Sequence, residues 1–117
     1  MTIPRPGEIY WAFVEGGRRH PYVIVSRDEL NRGGYVIAAQ LTSSKLTNRR
    51  GLRNCVPLRA GQFGLPKDCV VQSEMITFMD KDDFDWESGR IGTLDGSSMR
   101  DVIRSIGYVI AAECEPT

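Results

Sequence analysis

The C-terminal part of this chain carries its one long helical pattern, and that pattern limits the folds open to the rest. Over residues 97–112 the apolar side chains recur at three- and four-residue spacings, which predicts an amphipathic helix. Asp95 is suited to cap the N terminus of this helix. Every earlier apolar run is short and rich in β-branched or aromatic residues, which is typical of strands. We therefore expect short strands with one terminal helix packed on them.

The strand-like runs are bounded by glycines, prolines and polar turns. They lie at residues 7–14, 22–26, 35–42, 54–58 and 90–94, with one bent strand or two over 69–79. The second strand is expected to begin just after Pro21, and Pro57 is expected at a sheet edge, because proline lacks an N–H donor. The run at 35–42 is expected to be central. Residues 28–31 predict a helical turn, while 43–53 and 61–68 predict loops. This plan is a mainly β (α+β) fold, a small antiparallel barrel or curled sheet with a helical lid.

The size and composition of the chain exclude several classes of protein. With 117 residues, 41% apolar and 26% charged, it is expected to form one domain over residues 1–117. No apolar run approaches the roughly 20 residues that span a bilayer. The N terminus has no secretory apolar region, so we expect a cytoplasmic protein without membrane contact. Cys55, Cys69 and Cys114 lack metal-site spacing and are expected to be reduced thiols. We expect neither a metal ion nor a cofactor, since no motif for one is present.

The charges are distributed unevenly along the chain, although the formal net charge is zero. Residues 1–67 hold 11 Lys and Arg against 4 Asp and Glu, a balance of +7, and residues 68–117 hold the reverse numbers. A basic N-terminal part suits a polyanionic partner if folding collects its charges on one face. The alternative is that the two parts neutralise each other across the fold.

A basic cluster precedes the second predicted strand and includes His20, the only histidine in the sequence. Histidine is the side chain whose unperturbed pKa puts proton transfer near neutral pH. Arg18 and Arg19 beside it can hold a phosphate group and stabilise developing negative charge. The alternative is a solvated loop in which His20 only starts the strand. Trp11 and Tyr10 are candidates for stacking on bases or for core packing.

Hydroxyl and further basic side chains follow the third predicted strand. Thr42 closes that strand, and Ser43 and Ser44 come next, where side chains can emerge at a barrel rim. Together with His20 and the arginines they suit metal-free RNA cleavage, in which the 2′-hydroxyl of the substrate attacks the adjacent phosphate. Candidate phosphate-binding cations in the next loop are Lys45, Arg49, Arg50 and Arg53. The alternatives are an ordinary strand threonine and a solvated basic loop.

The order of motifs along the chain resembles the MazF/PemK toxin family. The matching segments are 6–11 (PGEIYW), 19–26 (RHPYVIVS), 31–32 (NR), 36–43 (VIAAQLTS), 64–71 (GLPKDCVV) and 90–94 (RIGTL). None of these segments is specific alone, but together they cover nearly the whole chain in the family's order. The resemblance implies an SH3-like barrel with a C-terminal helix, working as a homodimer.

The resemblance also implies an activity and partners. It implies a sequence-specific, metal-independent endoribonuclease toxin of a type II toxin–antitoxin system, cleaving single-stranded mRNA or rRNA and so inhibiting translation. Its protein partner would be a cognate antitoxin with a disordered, often acidic tail. A basic N-terminal part suits both RNA and such a tail.

The resemblance assigns catalytic roles with one departure from the family pattern. Thr42 matches the family's catalytic threonine. The family's catalytic arginine directly precedes the strand-opening proline, where this chain has His20, with Arg19 one residue earlier. Either His20 has taken over the acid–base role, or Arg19 reaches in from a shifted loop. We predict that His20 transfers protons and Arg19 contacts phosphate; in a regular strand the two would point to opposite faces.

RNA binding is assigned to a wider set of side chains. They are Arg18, Ser43, Lys45, Arg49, Arg50, Arg53 and Glu74. After Glu74 the family commonly has a glutamine and then an arginine, whereas this chain has Met75 and Thr77. The loop over 15–19 is shorter than usual in the family, so we expect a more open site.

Two other functions remain open from the sequence. The same fold serves in toxins that bind gyrase, and such a function would depend on residues 106–117 rather than on a basic rim. A catalytically inactive relative that binds only RNA or protein is the other alternative, because the family arginine is displaced.

Overall fold

Six strands and three α-helices form the fold in a computed structural model that describes residues 3–112. In chain order they are β1 (Glu8–Phe13), β2 (Arg19–Ile24), α1 (Asp28–Asn31), β3 (Tyr35–Thr42), α2 (Leu46–Arg49), β4 (Cys55–Leu58), β5 (Cys69–Asp80), β6 (Arg90–Thr93) and α3 (Gly96–Val109). Single 3-10 turns at Glu15–Gly17 and Lys81–Asp83 follow β1 and β5. Cys114 lies outside the described residues.

The six strands form one antiparallel sheet in the order β4-β5-β3-β2-β1-β6. β3 pairs with both β2 and β5, which confirms its central position. β5 is one strand, and its pairing with β3 shifts between the pairs Ala39–Ile76 and Gln40–Gln72. The extra residues of β5 at this shift bend the strand. The bend explains why the sequence predicted either one bent strand or two separate strands here. β4, which contains Pro57, lies at a sheet edge as predicted.

The two edges of the sheet approach each other through the loop that follows β4. A Cβ added at Gly92 of β6 would lie 1.8 Å from the carbonyl oxygen of Phe63, and one at Gly64 would lie 1.9 Å from that of Ile91. Only glycine permits such an approach. The sheet therefore curls into a half-barrel, with α3 against β4 and β5. The predicted mainly β, SH3-like barrel with a C-terminal helix is confirmed.

Alternation along the strands creates an apolar core on each face of the sheet. On one face Ile9, Val23 and Leu41 pack in a core that includes Val102 and Ile106 of α3. The core on the other face is rich in aromatic residues, including Tyr10, Tyr22, Phe84 and Trp86. Tyr10 therefore packs in a core, which is one of the two expectations for it. Within the described residues, Trp11 belongs to neither core.

The structure corrects three details of the predicted elements. β2 begins at Arg19 rather than after Pro21, and Pro21 pairs with Trp11 of β1. Proline is tolerated there because it lies beyond the last pair with β3, where β2 is locally an edge. The predicted loop over 43–53 contains α2. α3 ends at Val109 instead of residue 112, although the Asp95 cap is confirmed by the bond that it accepts from the Ser98 amide at 2.8 Å.

Candidate active site

A cleft of about 530 Å³ opens where β2 begins and β3 ends. Its walls come from the start of β2, the end of β3, the loop before β5, and single positions of β1, β5 and β6. The lining residues are Trp11, Arg18, Arg19, His20, Pro21, Leu41, Thr42, Ser43, Ser44, Leu65, Pro66, Lys67, Cys69 and Ile91. We call this cavity the Thr42 cleft.

The Thr42 cleft is bordered by cations, and no carboxylate belongs to the described residues that line it. The cationic lining residues are Arg18, Arg19 and Lys67, and His20 also lines the cleft. The ion pairs Arg19–Asp85, at the cleft, and Arg50–Asp68, outside its lining, join the basic part of the chain to the acidic part. Both interpretations of the charge distribution therefore hold in part: some basic groups collect at one cleft, and others are neutralised.

Arg19 is held at the cleft wall by contacts on two sides. Its guanidinium lies 4.8 Å from the centre of the Trp11 ring. Its Nη1 donates to Asp85 Oδ2 at 2.7 Å and to Ser88 Oγ at 2.9 Å. Hydrogen bonds from Ser88, and then the Arg19 guanidinium, hold the pKa of Asp85 below its usual range. Arg19 therefore keeps a fixed position while its other N–H groups remain available.

His20 and Thr42 lie at corresponding places on neighbouring strands. The last pair of β2 with β3 at this end is Tyr22–Gln40, and two residues further along each strand are His20 and Thr42. His20 pairs with Ala12 of β1, whereas Arg19 pairs with Phe13, so the two neighbours alternate in direction. Both still border the cleft, because it opens at the ends of the strands.

The Thr42 hydroxyl belongs to a local hydrogen-bond system. The Ser44 amide donates to Thr42 Oγ1 at 3.2 Å, and the two hydroxyl oxygens lie 3.0 Å apart. Arg49 Nη1 donates to the Ser44 carbonyl at 3.3 Å and to Ser44 Oγ at 3.4 Å. Lys45 makes this turn with a left-handed φ of 53°. The half-buried Thr42 side chain is thereby tied to α2.

The structure brings together only part of the predicted RNA-binding set. Arg18 and Ser43 line the cleft, but Lys45, Arg49, Arg50, Arg53 and Glu74 do not. Arg49 contacts Ser44, Arg50 pairs with Asp68 at 3.2 Å, and Arg53 lies over the Tyr108 ring at 4.2 Å. Direct binding of RNA by these five side chains stays a prediction.

Residues absent from the predicted set also contribute to the site. Lys67 lines the cleft from the loop before β5. It lies in the family-like segment GLPKDCVV, which is the sequence feature that could have identified it. Asp85 and Ser88 hold Arg19, yet they come from the segment between β5 and β6, 66 and 69 residues further along the chain. Nothing in the local sequence pairs that region with the start of β2.

Cys69 lies on the cleft wall but is not a candidate nucleophile. The residue is buried, and burial raises the pKa of its thiol to about 11. A thiol with such a pKa stays protonated near neutral pH and reacts poorly. Cys55 and Cys69 are free, as predicted, and both are buried.

A second cleft of about 600 Å³ lies beside β1 and β6 and has a different charge arrangement. Its lining residues are Arg5, Pro6, Glu8, Arg27, Asp28, Glu29, Arg90 and Thr93, and we call it the Glu8 cleft. Buried Glu8 accepts from Arg90 Nη1 at 2.9 Å, from the Tyr10 hydroxyl at 3.0 Å and from the Arg5 amide at 2.7 Å. Burial and the bond to Glu8 raise the pKa of Tyr10 to about 12.

Residues 3–112 hold no group of three or more His, Cys, Asp or Glu side chains arranged to bind a metal ion. In the same residues no helix has both the length and the apolar character needed to cross a bilayer.

Sequence comparison identifies relatives over almost the whole chain. Residues 5–110 match the family of PemK-like, MazF-like toxins of type II toxin–antitoxin systems. Endoribonuclease MazF2 of Mycobacterium bovis is 32% identical over 118 residues, covering 94% of this chain and 98% of that protein. Endoribonuclease MazF6 of Mycobacterium tuberculosis has the same identity and coverage.

Solved structures share the fold. An endoribonuclease from a mycobacterial species, solved in complex with its cognate antitoxin, superimposes with a TM-score of 0.76 at 22% identity, covering 92% of this chain and 95% of that one. A MazE–MazF structure from Deinococcus radiodurans gives 0.72 at 20% identity, with 94% and 97% covered. On the family match and the relatives' identity and coverage, the chain belongs to the PemK-like, MazF-like toxins of type II toxin–antitoxin systems.

Proposed function

We propose that this MazF-like endoribonuclease toxin cleaves single-stranded RNA in the Thr42 cleft, at preferred sequences and without a metal ion. The observation that carries the proposal is the convergence of Arg19, His20 and Thr42 on one cleft that no carboxylate lines among the described residues. Such a cleft attracts a phosphate backbone, because among the described residues only Arg19 of its three cations is paired with a carboxylate, Asp85.

The proposed reaction uses the substrate's own nucleophile. The 2′-oxygen attacks the adjacent phosphorus, a 2′,3′-cyclic phosphate forms, and the bond from phosphorus to the 5′-oxygen breaks. The 2′-hydroxyl loses a proton, and the leaving 5′-oxygen gains one. His20 transfers the proton, Arg19 stabilises the charge that develops on the phosphate, and Thr42 orients a phosphate oxygen through a hydrogen bond.

An antitoxin with a disordered acidic tail is the proposed protein partner. Solved relatives in the mycobacterial and Deinococcus structures are complexes with an antitoxin. A segment of carboxylates would be attracted by Arg18, Arg19 and Lys67, and it would then compete with RNA for the same cleft. Inhibition by such a peptide should therefore weaken as RNA concentration rises.

We extend the proposal to a homodimer that works in the cytoplasm. Large apolar side chains of β5, of α3 and of the residue that follows α3 face solvent: Met75 is 46% exposed, Ile103 49% and Ile110 63%. Contact with a second copy would remove such surface from water. Light scattering of the purified protein at two concentrations tests this part, and a strict monomer would contradict it.

The test of the activity is incubation of the purified protein with a long single-stranded RNA in EDTA, followed by mapping of the new ends. We expect discrete cuts that leave a 5′-hydroxyl. Thr42→Ala should abolish the cuts without lowering the melting temperature. Intact RNA at high protein excess would contradict the proposal and point to a protein that only binds, with gyrase inhibition as the next assay.

A further inference from the structure

We infer that Ser44 and Arg49 are positioning residues that hold the Thr42 hydroxyl as a hydrogen-bond donor to phosphate. The inference rests on the proposed ribonuclease function, because it gives the Thr42 hydroxyl a phosphate oxygen as its acceptor. It also gives Arg49 a role different from the direct RNA contact that the sequence predicts.

The local backbone brings the three side chains together. β3 ends at Thr42, and the left-handed φ of Lys45 reverses the chain so that α2 begins at Leu46. Arg49, in the last turn of α2, reaches back to the Ser44 carbonyl and hydroxyl at 3.3 and 3.4 Å. Arg49 is half-buried and lies outside the lining of the Thr42 cleft, whereas Ser44 and Thr42 are in it.

Chemistry fixes the direction of the bond from Arg49, and the inference assigns the direction of the bond between the two hydroxyls, either of which can donate. A guanidinium has donors only, so Ser44 Oγ accepts from Arg49. The Ser44 hydroxyl is then free to donate its own hydrogen to Thr42 Oγ1, 3.0 Å away. The Ser44 amide donates to the same oxygen at 3.2 Å. In that arrangement both Ser44 donors are directed at Thr42 Oγ1, and the hydrogen of Thr42 is left for a third acceptor.

The cleft supplies that acceptor when RNA is bound. Thr42 lines the cleft, so its free hydrogen can reach a phosphate oxygen there. A chain of donors that begins at a cation polarises each hydroxyl in turn and strengthens the last donor. Such a fixed donor helps most when negative charge grows on the phosphate during attack. Loss of the chain should therefore lower the rate of cleavage more than the affinity for RNA.

Ser44→Ala tests the inference, because it removes the hydroxyl and keeps the amide donor. We expect the single-turnover cleavage rate to fall about tenfold, with unchanged affinity for an RNA made uncleavable by 2′-deoxy substitution. Ser44→Thr should restore most of the rate, and Arg49→Met should lower it without weakening binding. The inference is overturned if Ser44→Ala weakens binding and leaves the rate intact, or if Ser44→Thr is no better than Ser44→Ala.

Coupling to Thr42 separates positioning from a general effect. At a protein excess high enough to detect the slow residual cleavage of Thr42→Ala, adding Ser44→Ala should not lower that rate further, and an additive loss would contradict the chain. Thr47→Ala is the matched control, since Thr47 is an exposed hydroxyl residue of the same short helix. It should leave rate and affinity unchanged.

A measurement without RNA distinguishes failure of this inference from failure of the proposed function. Three-bond NMR couplings report the χ1 rotamer of Thr42 in the free protein. We expect one rotamer in the wild type and averaged values in Ser44→Ala and Arg49→Met. Averaged values in the wild type, or one unchanged rotamer in both variants, would overturn the inference. If the rotamer result holds but wild-type protein leaves RNA intact, the hydrogen-bonded chain survives as a structural feature, and both the proposed function and the positioning role fail.

Discussion

The two clefts of this protein have similar volumes but opposite charge arrangements. The Glu8 cleft is slightly larger, at about 600 Å³ against about 530 Å³ for the Thr42 cleft. Four of its six charged lining residues are paired with each other, because Arg90 pairs with buried Glu8 and Arg5 pairs with Asp28 at 3.4 Å. The Thr42 cleft presents cations and hydroxyls, with no carboxylate among its described lining residues. Cavity volume thus does not distinguish the two clefts, whereas the excess of cationic over acidic lining residues points to the Thr42 cleft as the place for a polyanion.

Arg19 shows how a charge can belong to both kinds of arrangement. It lines the Thr42 cleft, yet its Nη1 is paired with Asp85 behind the cleft wall. Pairing through one nitrogen fixes the guanidinium and leaves the rest of its N–H groups for a ligand. The Glu8 cleft has no such division, since both oxygens of Glu8 are already acceptors. We therefore expect changes in the Thr42 cleft to alter catalysis and changes in the Glu8 cleft to alter stability.

The largest expected effect comes from His20→Ala in the Thr42 cleft. If this side chain transfers the proton, cleavage should slow on the order of 100-fold or more. The melting temperature should stay near that of the wild type, because His20 is only half-buried. The measurement is the single-turnover rate on a mapped cleavage site. An unchanged rate would transfer the role to Arg19, which Arg19→Ala would then test.

Glu8→Ala should have its effect on folding instead. The substitution leaves the Tyr10 hydroxyl and Arg90 without their shared acceptor, at a cost of about 1–3 kcal/mol in the free energy of unfolding. Urea unfolding measures that loss, and the rate of RNA cleavage by the folded protein should not change. Glu29→Ala is the matched control, because Glu29 is an exposed carboxylate of the same cleft. A loss of cleavage without a loss of stability would break the distinction between the clefts.

Lys67→Ala should have a smaller effect, on affinity alone. Affinity of the wild type for uncleavable RNA should fall steeply with salt, since binding releases counterions from the phosphate backbone. Removing one phosphate-contacting cation should reduce the slope of log K against log salt by about 1. Arg27→Ala, from the Glu8 cleft, is the control that should leave the slope unchanged. A flat salt response of the wild type would contradict RNA binding at the Thr42 cleft.

The sequence predicted the parts of this molecule that depend on local pattern and missed those that depend on topology. The strand Tyr35–Thr42 and the cap at Asp95 are confirmed, because a short, largely apolar run and a capping residue are both local features of the sequence. The sequence places the start of β2 after Pro21, because proline is not expected inside a sheet. Only the strand pairing shows that β2 is locally an edge at Pro21, where proline is tolerated. The residue types grouped Thr42 with Arg19 and His20 as a candidate site, and the resemblance to a family matched Thr42 to a catalytic residue. Lys45 has a positive φ, which is uncommon for a residue other than glycine. The sequence therefore does not predict the turn at Lys45, the four-residue α2 that follows it, or the contact from Arg49 to Ser44.

The smallest expected effect concerns the acid range, where Asp85 ties Arg19 to the wall of the Thr42 cleft. Asp85 is 14% exposed, and its bonds from Ser88 and Arg19 hold its pKa below the usual range. A carboxyl whose pKa is lower in the folded state stabilises the fold above its ordinary pKa, and this contribution is lost as pH falls through the lowered value. Asp85→Asn should therefore flatten the decline of the melting temperature below about pH 4. Melting curves from pH 7 to pH 3 test this, with Asp83→Asn, an exposed aspartate of the same turn, as the control. Equal declines in wild type and Asp85→Asn would mean that the ion pair does not stabilise the fold, and Arg19 would then belong to the open cleft alone.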